Sequence, residues 1–406
     1  MTSNMNCGQA AIALLERYGV DTVFGIPGVH TLEFYRGLAT SKIRHIAVRH
    51  EQGAGFMADG YARACGRPGV CVLITGPGMT NAATPIGQAF SDSVPMLVLS
   101  SVNSTDDLGK GRGRLHEITS QQAAIAPLTA FSRTVRAASE LPVAMADAYR
   151  VFERARPRPV HIEIPLDILA GNGPEIADRR PPAPPTGPDP ASIAAALDLI
   201  RAARRPAIIA GGGVIDHGAL VAQLADRIGA AIMPTVAAKG AVPDSHPRCV
   251  GSALPLKATQ SFLKGADLVI AIATELAETD SWTDRLPISG KLIRIDIDAG
   301  SLQRDYRPDV GIHADASETL RALLSGLGSA GQAGIPTAEI AELRRTNRGS
   351  LGPLQRKHAL VLDALRAALP ADGIVATFPE PGSDPGRAPM DPGTSGGGAG
   401  SPGAPA

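Results

Sequence analysis

Arg49-His50-Glu51-Gln52-Gly53-Ala54-Gly55-Phe56-Met57-Ala58-Asp59-Gly60-Tyr61-Ala62-Arg63 follows directly on an apolar run, Ile43 to Val48. The apolar run predicts a strand and the small-residue stretch after it a helix, so an acid stands where one hands over to the other. A second apolar run, Val70 to Ile74, leads into Thr75-Gly76-Pro77-Gly78-Met79-Thr80-Asn81, which has the same strand–turn–helix grammar. The pattern predicts an α/β fold.

The pattern continues on both sides. A helix is expected from Gly8 to Tyr18 and a short strand from Thr22 to Phe24, closed by the turn Gly25-Ile26-Pro27-Gly28-Val29-His30. The runs at Ile43, Val70, Pro95 to Ser100 and Val160 to Ile164 are nearly continuously apolar, as strands covered on both faces are. Residues 180 to 189, Arg-Pro-Pro-Ala-Pro-Pro-Thr-Gly-Pro-Asp, read as a semi-rigid spacer. A second set of α/β signals follows: a helix over Ala191 to Ala203 and strands at Pro206 to Ala210, Ala231 to Pro234, Leu268 to Ala273 and Lys291 to Ile297. A helix near His358 to Leu369 and a strand start at Ile374 to Thr377 come last. Of the 29 residues from Phe378 onward, 7 are proline and 8 glycine, too few apolar groups to offset the entropy of ordering them.

Lysine plus arginine equals aspartate plus glutamate at 39 each, so no global field favours nucleic acid or an anionic membrane. Aromatics at 3% argue against base stacking, and no segment is long and apolar enough for a membrane span. Cys7, Cys65, Cys71 and Cys249 are scattered without a paired motif, and the first residues carry no leader pattern, which points to the cytoplasm.

The run from Arg49 to Arg63, with the Gly76-Pro77-Gly78 turn at its distance, resembles the pyrimidine-binding domain of thiamine-diphosphate enzymes. The branch is that of acetohydroxyacid synthases and 2-oxo-acid decarboxylases. The resemblance implies two doubly wound parallel-sheet α/β domains, the pyrimidine-binding domain and a Rossmann-like central domain, with the truncated start of a third. It places the first at residues 1–175, a linker at 176–189, the central domain at 190–330 and a second linker at 331–356. A stub of the diphosphate-binding domain would occupy 357–377, and a disordered tail, of the kind a shifted reading frame in GC-rich DNA encodes, 378–406.

The same resemblance makes Glu51 the carboxyl group that relays a proton to the cofactor's aminopyrimidine, although a glutamate in a first helical turn can also serve only the dipole. Gly53, Ala54 and Gly55 would let a flat ring approach the backbone. Gly25, Pro27 and Gly28, and then Gly76, Pro77, Gly78 and Asn81, would contact the cofactor; His30 is expected to be a loop or subunit-contact residue, and Asp92 to orient a turn. His116 stands where acetohydroxyacid synthases carry glutamine in a Phe-Gln-Glu run, and is the second candidate catalytic residue; a surface-loop histidine is the bland alternative. Arg112-Gly113-Arg114-Leu115-His116-Glu117 and Gly25 to Leu32 look most like 5-guanidino-2-oxopentanoate decarboxylases, with Glu117 or Asp106 as partners for a guanidinium.

The implied partners are a 2-oxo acid and a second copy of the chain, in a dimer or tetramer. Magnesium is implied too, but its usual Gly-Asp-Gly ligand motif does not follow Leu369. The chain alone is therefore expected to be inactive. Acetolactate-type carboligation and a non-catalytic dimerisation role are the alternatives. Ala210-Gly211-Gly212-Gly213 leaves FAD, or a nucleotide module, as a minor possibility, because the spacing does not fit G-x-G-x-x-G.

Overall fold

The computed structural model describes residues 5–176, 184–328, 331 and 333–370. The strand start at 374–377 and the tail at 378–406 lie outside the described residues, as do residues 177–183 at the proline-rich spacer. The chain divides into two compact units, Met1–Pro185 and Thr186–Ala406.

In the first unit the elements are α1 (Cys7–Arg17), β1 (Thr22–Gly25), α2 (Leu32–Leu38), β2 (Arg44–Ala47), α3 (Glu51–Cys65), β3 (Gly69–Leu73), α4 (Pro77–Asn81) and α5 (Ala83–Ser91). Then come β4 (Met96–Val102), α6 (Gln121–Ile125), β5 (Phe131–Thr134), α7 (Leu141–Arg154), β6 (Val160–Pro165) and α8 (Leu166–Ala170). The six strands pair in parallel in the order β2-β1-β3-β4-β6-β5. β1 thus has β2 on one side and β3 on the other, and the chain reverses its direction of winding between them. In open α/β sheets the crevice at the carboxyl ends of such a strand pair receives ligands.

β3, β4 and β6 are buried along their whole length, as their apolar runs predict. β2 differs from expectation. Arg44 and Ala47 are exposed because the strand lies at the sheet edge, where one side has no neighbour. At the opposite edge, β5 was not expected at all; Ser132, Arg133 and Thr134 give it no apolar run.

The small residues of α3 have a packing purpose. Ala54, Ala58 and Ala62, four apart, form one buried stripe against the sheet. A Cβ on Gly69, the first residue of β3, would meet the Ala58 carbonyl oxygen at 2.0 Å. One on Gly55 would meet Pro85 of α5 at 2.3 Å, so Gly55 serves helix–helix contact, while Gly53 faces open space. Arg63 ties α3 to the end of α5 through Asp92, with Asp59 on its other side, each at 2.6 Å.

The second unit contains α9 (Pro190–Ala202), β7 (Pro206–Ala210), α10 (Gly218–Ile228), β8 (Ala231–Pro234), α11 (Lys257–Lys264), β9 (Leu268–Ile272), α12 (Glu278–Ser281), β10 (Lys291–Asp296), α13 (Ala299–Gln303), β11 (Val310–His313), α14 (Ala316–Leu327), α15 (Thr337–Gly349) and α16 (Pro353–Ala368). Its five strands are parallel in the order β11-β10-β9-β7-β8, again doubly wound. Edge strand β11 was also missed in the sequence. A Cβ on Gly211 would meet the Ala273 carbonyl oxygen at 2.0 Å, and one on Gly213 the Ala273 side chain at 2.7 Å. Those glycines let two loops close on each other, which accounts for them without a nucleotide.

Candidate active site

Glu51 is the first residue of α3, with His50 as N-cap accepting the Gln52 N–H. The strand-to-helix turn after β2 places its carboxylate over the end of β3. Oε2 accepts a 2.9 Å hydrogen bond from Asn81 Nδ2, the last residue of α4. Oε1 lies against Gly78, where a Cβ would stand 3.3 Å away, and any such Cβ would also drive into Ile74 at 2.3 Å. Gly78 thus leaves room for the carboxylate and, more strictly, for Ile74. Gly76 has φ +64°, and a Cβ there would meet the His116 carbonyl oxygen at 2.2 Å. On the neighbouring strand, a Cβ on Gly25 would strike the Val72 carbonyl oxygen at 2.2 Å, and one on Gly28 the Ile74 side chain at 2.5 Å. Pro27 is exposed between them, as is Pro77 at the start of α4. The fold therefore brings Gly25, Gly28, Glu51, Gly76, Gly78, Asn81 and His116 into one neighbourhood at the winding reversal.

Gln121, which the sequence reading passed over, holds the turn from below. Its Oε1 accepts the Gly76 N–H at 2.8 Å, while Nε2 lies within 3.0 Å of Ser100 Oγ, Ser101 O and Glu163 Oε2. Glu163 in turn accepts from Thr134 Oγ1 at 2.6 Å. Gln121 and Glu163 are almost wholly buried, and burial raises the Glu163 pKa against the opposing pull of Thr134 and Gln121. A cavity of about 200 Å³ adjoins them, lined in part by Thr75, Gln121, Thr134, Arg136 and Glu163. Replacing Gln121 by Leu strands the Gly76 N–H and one Glu163 oxygen in the interior. A stability loss of about 2–4 kcal/mol is expected, together with faster hydrogen exchange at the Gly76 amide. Unaltered Gly76 protection in Gln121→Leu would refute the brace. For Glu163, though not for Gln121, the sequence did carry a signal, since it alternates with His161 on one face of an otherwise apolar strand.

The loop from Ser104 to Glu117 is self-braced. Asp107 pairs with Arg112 at 2.9 Å and with Arg114 at 3.0 Å, and Asn103 Nδ2 donates to the Leu115 carbonyl at 3.0 Å. Glu117 accepts the backbone N–H groups of Arg114 at 2.9 Å and Arg112 at 3.2 Å, bonds that lower its pKa. It is therefore engaged in holding the loop, and Asp106 is exposed. His116 takes a left-handed conformation, φ +57°. His30, expected to be a loop or subunit-contact residue, is only 7% exposed, and its ring stands edge-to-face to that of His116 with centroids 5.8 Å apart.

Residues 5–125 match the model of the thiamine pyrophosphate enzyme N-terminal TPP binding domain, and residues 193–323 that of the central domain. The sequence is 50% identical over 378 residues to a Pseudomonas aeruginosa protein named as a probable 2-ketoarginine decarboxylase, AruI, covering 92% of this chain and 67% of that one. The chain belongs to the thiamine pyrophosphate enzyme family. It is also 35% identical over 335 residues to the acetolactate synthase large subunit IlvB1 of Mycobacterium tuberculosis, covering 79% and 53% of the two chains. The acetolactate synthase isozyme 1 large subunit of Escherichia coli is 35% identical over 322 residues, covering 77% and 56%. The chain thus spans two thirds of the first relative and about half of the synthases. No helix among the described residues is long and apolar enough to cross a membrane.

The residues present suit the pyrimidine end of the thiamine cofactor. A carboxyl group with one oxygen oriented by an amide stands beside a turn where glycines keep side chains away, which a flat, hydrogen-bonding ring requires.

Proposed function

We propose that the first unit supplies the pyrimidine-facing half of a thiamine-diphosphate site, and that the chain serves decarboxylation of a 2-oxo acid, 5-guanidino-2-oxopentanoate foremost. The observation that carries this is the Glu51 carboxylate, fixed by Asn81 and pressed to Gly78 at the carboxyl ends of β1 and β3. Thiamine diphosphate, when bound, supplies the electron sink that lets a 2-oxo acid lose carbon dioxide. Glu51 would hold or pass a proton at the pyrimidine edge, with Asn81 orienting it, while Gly25, Pro27, Gly28, Gly76 and Pro77 line the approach and His116 faces the substrate. The substrate choice follows the 2-ketoarginine decarboxylase relative and the presence of His116 where the carboligases carry glutamine.

The diphosphate and magnesium side is assigned to the stretch of the relatives beyond the matched residues. FAD has no part in this reading. Val29, Leu32, Phe56, Met57 and Leu115 are exposed apolar side chains near Gly28, Glu51 or His116 in the sequence. They support assembly as a dimer or tetramer through this unit. Four cysteines without a disulfide support a reducing cytoplasm.

Complementation tests the proposal. The chain is mixed with a full-length relative whose matching glutamate is changed to glutamine, and carbon dioxide release is followed with thiamine diphosphate and magnesium. Turnover that appears only in the mixture is the expected result, faster with the guanidino 2-oxo acid than with an aliphatic one. Equal rates would remove the substrate assignment; acetolactate as the product would favour carboligation. A mixed oligomer without any turnover would leave only the non-catalytic role.

A further inference from the structure

Two imidazoles beside the Gly76 turn are left without hydrogen-bond partners at one ring atom each. Nδ1 of His30 and Nδ1 of His116 are both buried, and neither has a partner among the described residues. Buried polar atoms are rarely left so, because each forfeits its bond to water without replacement. The two rings face each other edge-on at 5.8 Å. Both histidines stand on a fixed backbone. His30 lies in the single helical turn Val29–Thr31, tied down by the Gly28 N–H to Thr31 Oγ1 bond at 2.9 Å. His116 is held in its left-handed conformation with its carbonyl oxygen and Cβ packed on Gly76. The same turn carries Gly78, against which Glu51 rests, so the histidine pair and the glutamate flank one three-residue segment.

We propose that His30 and His116 act together as the binding pair for the carboxylate of the 2-oxo acid, each donating one ring N–H to it. The proposal rests on the thiamine-diphosphate reading of the site and extends it to His30, read in the sequence as a loop or subunit-contact residue. A carboxylate suits this place for three reasons. Imidazole N–H groups are donors, and two from different elements can engage both oxygens of one carboxylate. No acid is hydrogen-bonded to either ring among the described residues, so the pair has no counter-ion of its own. Burial, and next the neighbouring His116, hold the His30 pKa below its ordinary value, a direction that a nearby anion opposes.

The test is made on the chain itself with isotope-labelled histidine, by following the His30 and His116 ring resonances during titration with pyruvate. Pyruvamide, the same molecule without the charge, is the control. Pyruvate is expected to shift both rings together and pyruvamide neither, and His30→Phe or His116→Phe should each weaken pyruvate binding about ten-fold or more. If His30→Phe loses the native circular dichroism, His116→Phe, whose ring is less buried, carries the comparison. No shift up to tens of millimolar pyruvate, equal shifts with pyruvamide or chloride, or binding indifferent to both replacements would overturn the pair. Thiamine diphosphate is titrated on the same sample, read by resonances that Glu51→Gln abolishes. A response there without one to pyruvate refutes the pair and spares the cofactor reading; the converse refutes the cofactor reading and spares the pair.

Discussion

Glu51→Gln is expected to lower 2-oxo-acid turnover in the complemented enzyme by about 10²–10⁴-fold, the usual worth of a positioned proton-transfer group. It should barely alter folding. Glutamine keeps the side-chain length and offers Asn81 the same carbonyl acceptor that Glu51 Oε2 provides at 2.9 Å. What it removes is the carboxyl group at the start of α3, worth about 0.3–1 kcal/mol against the helix dipole and able to carry a proton where an amide is not. The two effects differ enough in size to be separated: turnover falls by orders of magnitude while the denaturant midpoint moves slightly. Asn81→Ala would act more mildly, leaving the acid but releasing its orientation. Full turnover in Glu51→Gln would return the residue to a merely helix-stabilising role.

How much of this was legible depended on where burial is two-sided. β3, β4 and β6 run through the middle of the sheet, and Val70, Leu97 and Ile162 are fully buried, so their sequences are continuous apolar runs. β5 and β11 lie at edges, where Ser132 is only partly buried and His313 is exposed, and no periodicity announces them. The glycines of the site were legible for a similar reason. Gly76 and Gly78 sit where another residue would collide with His116 or Ile74, so the constraint is local and written in the turn.

The small residues of α3 were visible too, but sequence could not say what lay opposite them. Gly55 proved to face Pro85, thirty positions away along the chain. Gln121 and His30 were invisible for the same cause. Gln121 matters because it meets Gly76 across 45 residues, and His30 because it meets His116. Neither has a local pattern that distinguishes it from any polar loop residue.

Acid should weaken the first unit well before most carboxylates are protonated. His161 lies in β6, fully buried, with its ring nitrogens bonded to Ser100 Oγ at 2.8 Å and Ser132 Oγ at 2.7 Å. Burial pushes its pKa from 6.5 down to about 3. The unfolded chain therefore takes up this proton first, and the stability it confers is complete above the unfolded value and lost as pH falls toward the folded one. The slope approaches about 1.4 kcal/mol per pH unit, so the loss across the window reaches several kcal/mol, a large part of the total for an ordinary domain. Glu163 opposes this. Its raised pKa means that the folded chain binds that proton more tightly, so its contribution is greatest at low pH and fades as pH rises above the ordinary 4.5.

The denaturant midpoint should accordingly fall from about pH 7 to about pH 4, with the decline easing where Glu163 begins to protonate. Far-UV circular dichroism is the right probe, because the single tryptophan, Trp282, lies in the other unit. His161→Gln, neutral at every pH, should start less stable, since two serines lose their partner, yet show a much flatter profile. A wild-type midpoint that stays level over this range would refute a buried neutral His161. So would an undiminished slope in His161→Gln.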